Sequence, residues 1–274
     1  MYRDNQHGHF FSAPVNKTQD QSIVKRHGIK AVLFDVFGTV VNWRKTINDE
    51  FASIFKQKKI ENINCEMFVA DWVKAYSENM RQISEGKQSF LIVDVLNKQA
   101  LIEIIQKYNV CNQFNNEEIE DMAKVWHRLE PWPDSVAGIN KLKKQFTVGT
   151  LSNGNIQLLK QLSNNANIQW DEILSGETFH EYKPNPCVYL KAADALNLKP
   201  SEILLVASHK FDLNAAKLCG YQTAYIFRPL EFKTVKEAQK PKEDEFDFSI
   251  ASIDALAKML KELNLEKTSC QPCK

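Results

Sequence analysis

The sequence predicts an α/β fold: a parallel sheet with a large helical insertion after its first strand. Three observations predict it. Short apolar runs recur at Ala31–Phe34, Phe146–Leu151, Ile203–Val206 and Thr223–Ile226, with a shorter one near Phe246–Ile250. Helical patterns alternate with the later runs, as expected where crossover helices join parallel strands. The stretch between the first two runs, from about Trp43 to Pro131, reads almost wholly as helix.

The first strand lies in Ile29-Lys-Ala-Val-Leu-Phe-Asp35-Val-Phe-Gly-Thr39. A short apolar run without alternation suits a strand buried on both faces of a parallel sheet. It ends abruptly in a carboxylate followed by a Gly-Thr turn, and ligands of open α/β sheets bind just past the carboxyl ends of strands. Asp35 therefore stands where chemistry is done, although an aspartate capping a turn fits the same pattern. In the insertion, Phe68, Trp72, Ala75, Tyr76, Met80 and Ile83 fall on one face at three- and four-residue spacing. Val95, Leu101, Ile104 and Ile105 mark another helix, and Pro131-Trp-Pro133-Asp-Ser marks the return to the sheet. The expected organisation is a flexible tail over 1–28, a core over 29–43 and 131–266, a helical cap over 44–130 and a C-terminal tail over 267–274. The cap is expected to overhang the strand ends that carry Asp35.

With 274 residues, 43% hydrophobic and 25% charged, the chain is long enough for a core and an inserted domain. A net charge of +1 offers no general attraction to nucleic acid or to an anionic membrane. No apolar run approaches the roughly 18 residues a spanning helix needs. The first 28 residues carry Asp4, His7, His9, Lys17, Asp20, Lys25 and Arg26 and do not read as a signal peptide. Six scattered cysteines suit a reducing, cytoplasmic setting rather than a disulfide framework. Cys270-Gln-Pro-Cys273 has redox-motif spacing but lacks the flanking strand and helix that would support it.

Four polar positions end strands or lie just beyond them. They are Asp35, Ser152-Asn153-Gly154, Lys183 before Pro184, and the segment Ser208-His209-Lys210-Phe211-Asp212. Each has a bland alternative: Asn-Gly is a common turn, a lysine before proline is usually solvated, and Asp212 suits an N-cap of a helix closed by Gly220. Together they supply a chemistry. An ionised carboxylate is a nucleophile able to form a covalent ester, and a nearby lysine favours its charged form. Ser152 and Asn153 provide donors for an anion, and Asp212 is a second carboxylate able to deprotonate water.

These four motifs, in this order, resemble the haloacid dehalogenase superfamily, from Ile29 to the end of the core. The resemblance implies a Rossmann-like parallel-sheet core with the helical insertion as its cap. It is nearer to the type II, L-2-haloacid dehalogenase branch than to the phosphatases. Phosphatases of this fold carry a second Asp two residues after the nucleophile, where this chain has Phe37. They also carry an acidic Mg²⁺ ligand four residues before the last Asp, where this chain has Ser208. The resemblance implies that Asp35 is the nucleophile, with Lys183 and Asp212 also catalytic. It implies that Phe37, Thr39, Ser152, Asn153, Tyr189, Ser208, His209 and Phe211 line the substrate site, with Phe211 in the halide-side wall. The expected reaction is hydrolysis of the carbon–halogen bond of short (S)-2-haloacids through a covalent aspartyl ester, with no cofactor and no metal.

Two departures stand out. His209 takes a position where dehalogenases have an asparagine. The cap arginine that handles halide in the family is absent after Trp72, where Val73 and Lys74 follow, leaving Arg44 and Arg81 as candidates. A phosphatase with degenerate motifs and a non-catalytic anion-binding or interaction protein are the alternatives. The expected partner is a small anionic substrate, with no role for nucleic acid or membrane, and a homodimer is left open.

Overall fold

The computed structural model describes residues 28–231 and 241–269. Of the tails read over 1–28 and 267–274, residues 1–27 and 270–274, with Cys270 and Cys273, lie outside the described residues, while 267–269 continue the last helix. Six strands, β1 (Ala31–Phe34), β2 (Thr147–Ser152), β3 (Glu172–Ser175), β4 (Ile203–Ala207), β5 (Gln222–Ile226) and β6 (Phe248–Ile250), form one wholly parallel sheet in the order β3-β2-β1-β4-β5-β6. Strand β1 (Ala31–Phe34) is central: Ala31 lies opposite Thr147 on one side and Ile203 on the other. All four of its residues are buried. Val32 and Phe34 join one hydrophobic cluster and Ala31 and Leu33 the other, the two-residue alternation of a strand covered on both faces.

The insertion follows β1 as helices α1 (Trp43–Lys58), α2 (Cys65–Ser84), α3 (Val93–Lys107) and α4 (Asn116–Ala123), then a 3₁₀ turn over Lys124–Arg128. Asn42 and Asn64 cap α1 and α2 by accepting from the backbone N–H groups of Lys45 and Met67, and Asn115 with Glu118 forms a capping box on α4. Rings interlock these helices: Phe51 lies 5.2 Å from Trp72, and Trp72 6.0 Å from Trp126. The expected face of α2 forms, with Phe68, Trp72, Tyr76 and Ile83 buried.

The sheet resumes through α5 (Ser135–Leu142), β2 (Thr147–Ser152), α6 (Ile156–Asn165), β3 (Glu172–Ser175) and the single turn α7 (Gly176–Phe179). It continues with α8 (Pro186–Ala195), β4 (Ile203–Ala207), α9 (Lys210–Leu218), β5 (Gln222–Ile226), β6 (Phe248–Ile250) and α10 (Ile253–Ser269). The sequence pattern does not mark strand β3. It is a four-residue edge strand that begins at an exposed Glu172, too short and too polar to show a pattern. The chain crosses to β2 on one side of β1 and later to β4 on the other, so the carboxyl ends of β1 and β4 flank a topological switch point. Among the described residues no helix is long and apolar enough to cross a membrane.

Insertion and sheet are tied by a polar link. Asp94 of α3 accepts from Asn155 Nδ2 at 2.9 Å and pairs with His127 Nε2 at 2.8 Å, while His127 Nδ1 meets Gln161 of α6 at 2.6 Å.

Candidate active site

Asp35 is the first residue beyond β1, and its N–H donates to the carbonyl of Val206 in β4. The turn after it brings Thr39 back, so that Thr39 Oγ1 donates to Asp35 Oδ2 at 2.8 Å. Gly38 makes the turn with φ +81, and a Cβ there would lie 2.0 Å from Glu231 Oε1. Both backbone conformation and space therefore require glycine. Arg228 holds the turn from behind. Its Nε donates to the Thr39 carbonyl at 3.1 Å, and its two terminal nitrogens meet both oxygens of Asp134.

Lys183, 5% exposed, connects two acids. Its Nζ donates to Asp35 Oδ1 at 3.0 Å and also to Asp212 Oδ2. Asn153, just past β2, fixes the lysine backbone. Its Oδ1 accepts from the Lys183 N–H at 2.7 Å and its Nδ2 donates to the Lys183 carbonyl at 3.2 Å. Asn153 thus reaches the chemistry through Lys183. Ser152 is buried, with its Oγ accepting from the Gly154 N–H. Tyr189 of α8 donates to Asp212 Oδ1 at 2.6 Å. Asp212 sits in the first turn of α9, buried and turned to this network rather than capping the helix.

Past β4, the Ser208 N–H donates to Thr39 Oγ1 at 2.9 Å and Ser208 Oγ donates to Glu231 Oε2 at 2.8 Å. His209 lies between two carboxylates, with Nδ1 3.0 Å from Asp35 Oδ2 and Nε2 2.6 Å from Glu231 Oε1.

Charge follows from this geometry. Burial alone would raise the Asp35 pKa, but Lys183 and then His209 overcome it and hold the carboxyl well below the usual range. Burial opposes the Lys183 cation, yet Asp212 and Asp35 outweigh it and raise its pKa. Asp212 is raised, because its burial is only partly offset by Lys183. His209 is raised well above 6.5: burial works against the cation, and Glu231 and Asp35 together prevail. Asp35 is therefore ionised, and Asp212 is the more basic of the two acids.

The remaining expected site residues sit apart from this hydrogen-bond network. The Phe37 ring packs edge-on against Trp126, 5.5 Å between centroids, as part of an aromatic wall with Trp43 and Tyr76. Phe211 is 58% exposed, with its ring 5.6 Å from that of His209. Neither cap-arginine candidate has its guanidinium on Asp35. Arg44 Nε donates to the Glu231 carbonyl at 2.6 Å, and Arg81 is exposed and paired with Glu78 and Glu85. The cations at Asp35 are Lys183 and His209. Glu231 and Arg228 were missed by sequence reasoning. Phe227-Arg-Pro-Leu-Glu231 reads as an ordinary polar loop, and only its position after β5, next to β4 and the Ser208–Asp212 segment that follows it, brings it to the site.

The donor set does not suit the Mg²⁺ that a phosphatase pattern would imply. Asp35 and Asp212 share Lys183, position 208 is a hydroxyl, and Glu231 is engaged by His209 and Ser208. Among the described residues no group of three His, Cys, Asp or Glu side chains is arranged to hold a metal.

A strand-end aspartate joined through one lysine to a second aspartate is an arrangement that suits a carboxylate nucleophile. Residues 29–220 match the haloacid dehalogenase-like hydrolases, and the chain belongs to that family. The structure of a defluorinating L-2-haloacid dehalogenase is 35% identical, with a TM-score of 0.80 over 85% of this chain and 95% of that one. (S)-2-haloacid dehalogenase 1 of Pseudomonas sp. (strain CBS-3) is 24% identical over 73% of this chain and 85% of its own. The Xanthobacter autotrophicus L-2-haloacid dehalogenase with chloropropionic acid covalently bound shares the fold, at 21% identity and TM-score 0.70, over 85% of this chain and 98% of that one.

Proposed function

We propose that this L-2-haloacid dehalogenase-like hydrolase cleaves the carbon–halogen bond of short (S)-2-haloacids through an ester on Asp35. The carrying observation is the Asp35–Lys183–Asp212 arrangement, with a phenylalanine ring at position 37 where an acid would protonate a leaving group. Halide departs without a proton, so the missing acid costs this reaction nothing. Oδ1 of Asp35 attacks C2, and the carbon–halogen electron pair leaves with the halide. Water then adds to Cγ of Asp35 and gives a proton to Asp212; the Cγ–Oδ1 bond breaks, the departing alkoxide takes that proton back from Asp212 to leave as the 2-hydroxyacid, and the regenerated Asp35 carboxyl gives its remaining proton to solvent. Asp212 suits the base role because its pKa is raised while Tyr189 and Lys183 orient both of its oxygens. Lys183 keeps Asp35 ionised before attack. Thr39, on Asp35 Oδ2, and the aromatic wall around Phe37 border the place where the substrate meets Asp35. The free thiols of Cys65, Cys111, Cys187 and Cys219 fit the cytoplasmic setting read from composition.

The test is halide release from (S)- and (R)-2-chloropropionate, chloroacetate and fluoroacetate, beside phosphate release from phosphomonoesters, each with Mg²⁺ and with a chelator. Halide release from the (S) substrate, unchanged by the chelator and lost in Asp35→Asn, is the expected result. A single turnover in ¹⁸O-water should label Asp35, because water attacks its carbonyl carbon. Mg²⁺-dependent phosphate release without halide release would overturn the reading.

A further inference from the structure

His209 has two ring nitrogens, each within hydrogen-bond distance of a carboxylate oxygen: Asp35 Oδ2 at 3.0 Å and Glu231 Oε1 at 2.6 Å. A neutral imidazole carries one N–H and would face one of these oxygens with a lone pair. Beside the nearer Glu231, its single proton would be drawn to Nε2, leaving a bare Nδ1 against the nucleophile. Only the imidazolium satisfies both contacts. Glu231 is itself pinned from three elements. Ser208 donates to Oε2 at 2.8 Å, Trp43 Nε1 donates to Oε1 at 3.3 Å, and Gly38 leaves the space its carboxylate fills. Its side chain is 6% exposed. A buried carboxylate fixed this firmly, with a histidine on it and the nucleophile on the other side of that histidine, needs a reason.

The two oxygens of Asp35 are not equivalent. Oδ2 receives two donors, Thr39 Oγ1 and His209 Nδ1, whereas Oδ1 receives Lys183. Oδ1 keeps the freer lone pair for attack. Oδ2 then becomes the carbonyl oxygen of the ester, and it carries the negative charge when water adds to Cγ.

We propose that Glu231 is a positioning residue for ester hydrolysis: it holds His209 as the doubly protonated donor that, with Thr39, forms the oxyanion hole for Asp35 Oδ2. This deepens the covalent-ester reading above and rests on it. Glu231 touches no reacting atom and acts through the histidine. The other charged groups around His209 are arranged consistently. Lys183 lies beyond Asp35 and pairs with Asp212 in the first turn of α9, the helix that His209 precedes, Arg44 binds the Glu231 backbone carbonyl, and Lys210 pairs with Glu245. Removing one oxyanion donor typically slows such a step about 10²–10³-fold.

Rapid-quench mass spectrometry with (S)-2-chloropropionate separates ester formation from ester hydrolysis. Glu231→Gln should slow hydrolysis by about 10-fold or more relative to ester formation, so that the ester accumulates; His209→Asn should do the same. The double variant Glu231→Gln/His209→Asn should hydrolyse no more slowly than His209→Asn alone, and Glu231→Asp should restore part of the loss. In the unmodified protein, ¹⁵N shifts of the His209 ring should show both nitrogens protonated at neutral pH, a measurement that needs no variant to fold. Hydrolysis unaffected in Glu231→Gln, a further large loss in the double variant, or a singly protonated ring would each overturn the proposal while leaving the ester intact. Halide release by the unmodified protein with no trapped ester would instead overturn the covalent reading, and this proposal would fall with it.

Discussion

Lys183 touches Asp35 and Asp212 at once, so each acid's state depends on the other's. What separates them is the remaining set of donors. Asp35 has Thr39 and His209 on its second oxygen, while Asp212 has Tyr189. The tyrosine is fully buried and its hydroxyl donates to the ionised form of Asp212. Tyr189→Phe removes that donor and keeps the ring. The Asp212 pKa, already raised by burial, should rise further. The acid limb of the kcat profile should then move to higher pH, because Asp212, the proposed base, works only when ionised. Stability should drop by about 1–3 kcal/mol, the usual cost of losing a buried hydrogen bond to a charged group. An acid limb unmoved in the variant would show that Asp212 is not the base.

Between elements, one close approach lies away from the chemistry. Helix α5 crosses α10 at Gly138, where a Cβ would come within 2.6 Å of Ile253 Cγ2 and 2.8 Å of the Asp254 backbone nitrogen. Two effects oppose each other in Gly138→Ala. Helix propensity favours alanine by about 0.5–1 kcal/mol. Overpacking against backbone costs roughly 1–3 kcal/mol, since backbone cannot rotate away as a side-chain tip does. The variant should therefore be net destabilised, seen as a lower urea midpoint with an unchanged slope. The consequence reaches the site, because Asp134, at the start of α5, accepts from the Ile253 N–H and from Arg228, which braces the Thr39 turn. An increased midpoint would show that the helices separate freely at this crossing.

For the molecule as a whole, the site links charge to folding. The His209 pKa is raised on folding well above 6.5, so the folded state holds the proton more tightly. Its contribution to stability is full below 6.5 and is lost as pH rises through the folded value. Asp35 works the other way. Its lowered pKa stabilises the fold above the ordinary 3.8 and is lost only as pH falls through the folded value. Asp212, raised, opposes Asp35 on the acid side. The alkaline side is therefore the cleaner test. Denaturation midpoints should decline from about neutral pH upward, and His209→Asn should flatten that slope. A decline of equal slope in both proteins would place its origin elsewhere.

Sequence alone determined the sheet, the insertion and the four strand-end motifs, because each is written in a local pattern. Apolar runs bounded by polar turns mark buried strands, three- and four-residue spacing marks α2, and Asp35, Ser152, Lys183 and Asp212 each follow a recognisable signal. It did not reveal β3, whose four residues are too few to set a period. Only the tertiary structure decided how these residues work together. It turned Asn153 toward the Lys183 backbone, left Phe211 largely exposed, and put His209 between two carboxylates. It also brought in Arg228 and Glu231 from a loop with no motif. The physical reason is range: strand and helix signals arise from neighbours along the chain, whereas hydrogen bonds and charge pairing depend on which strand ends the sheet order sets side by side.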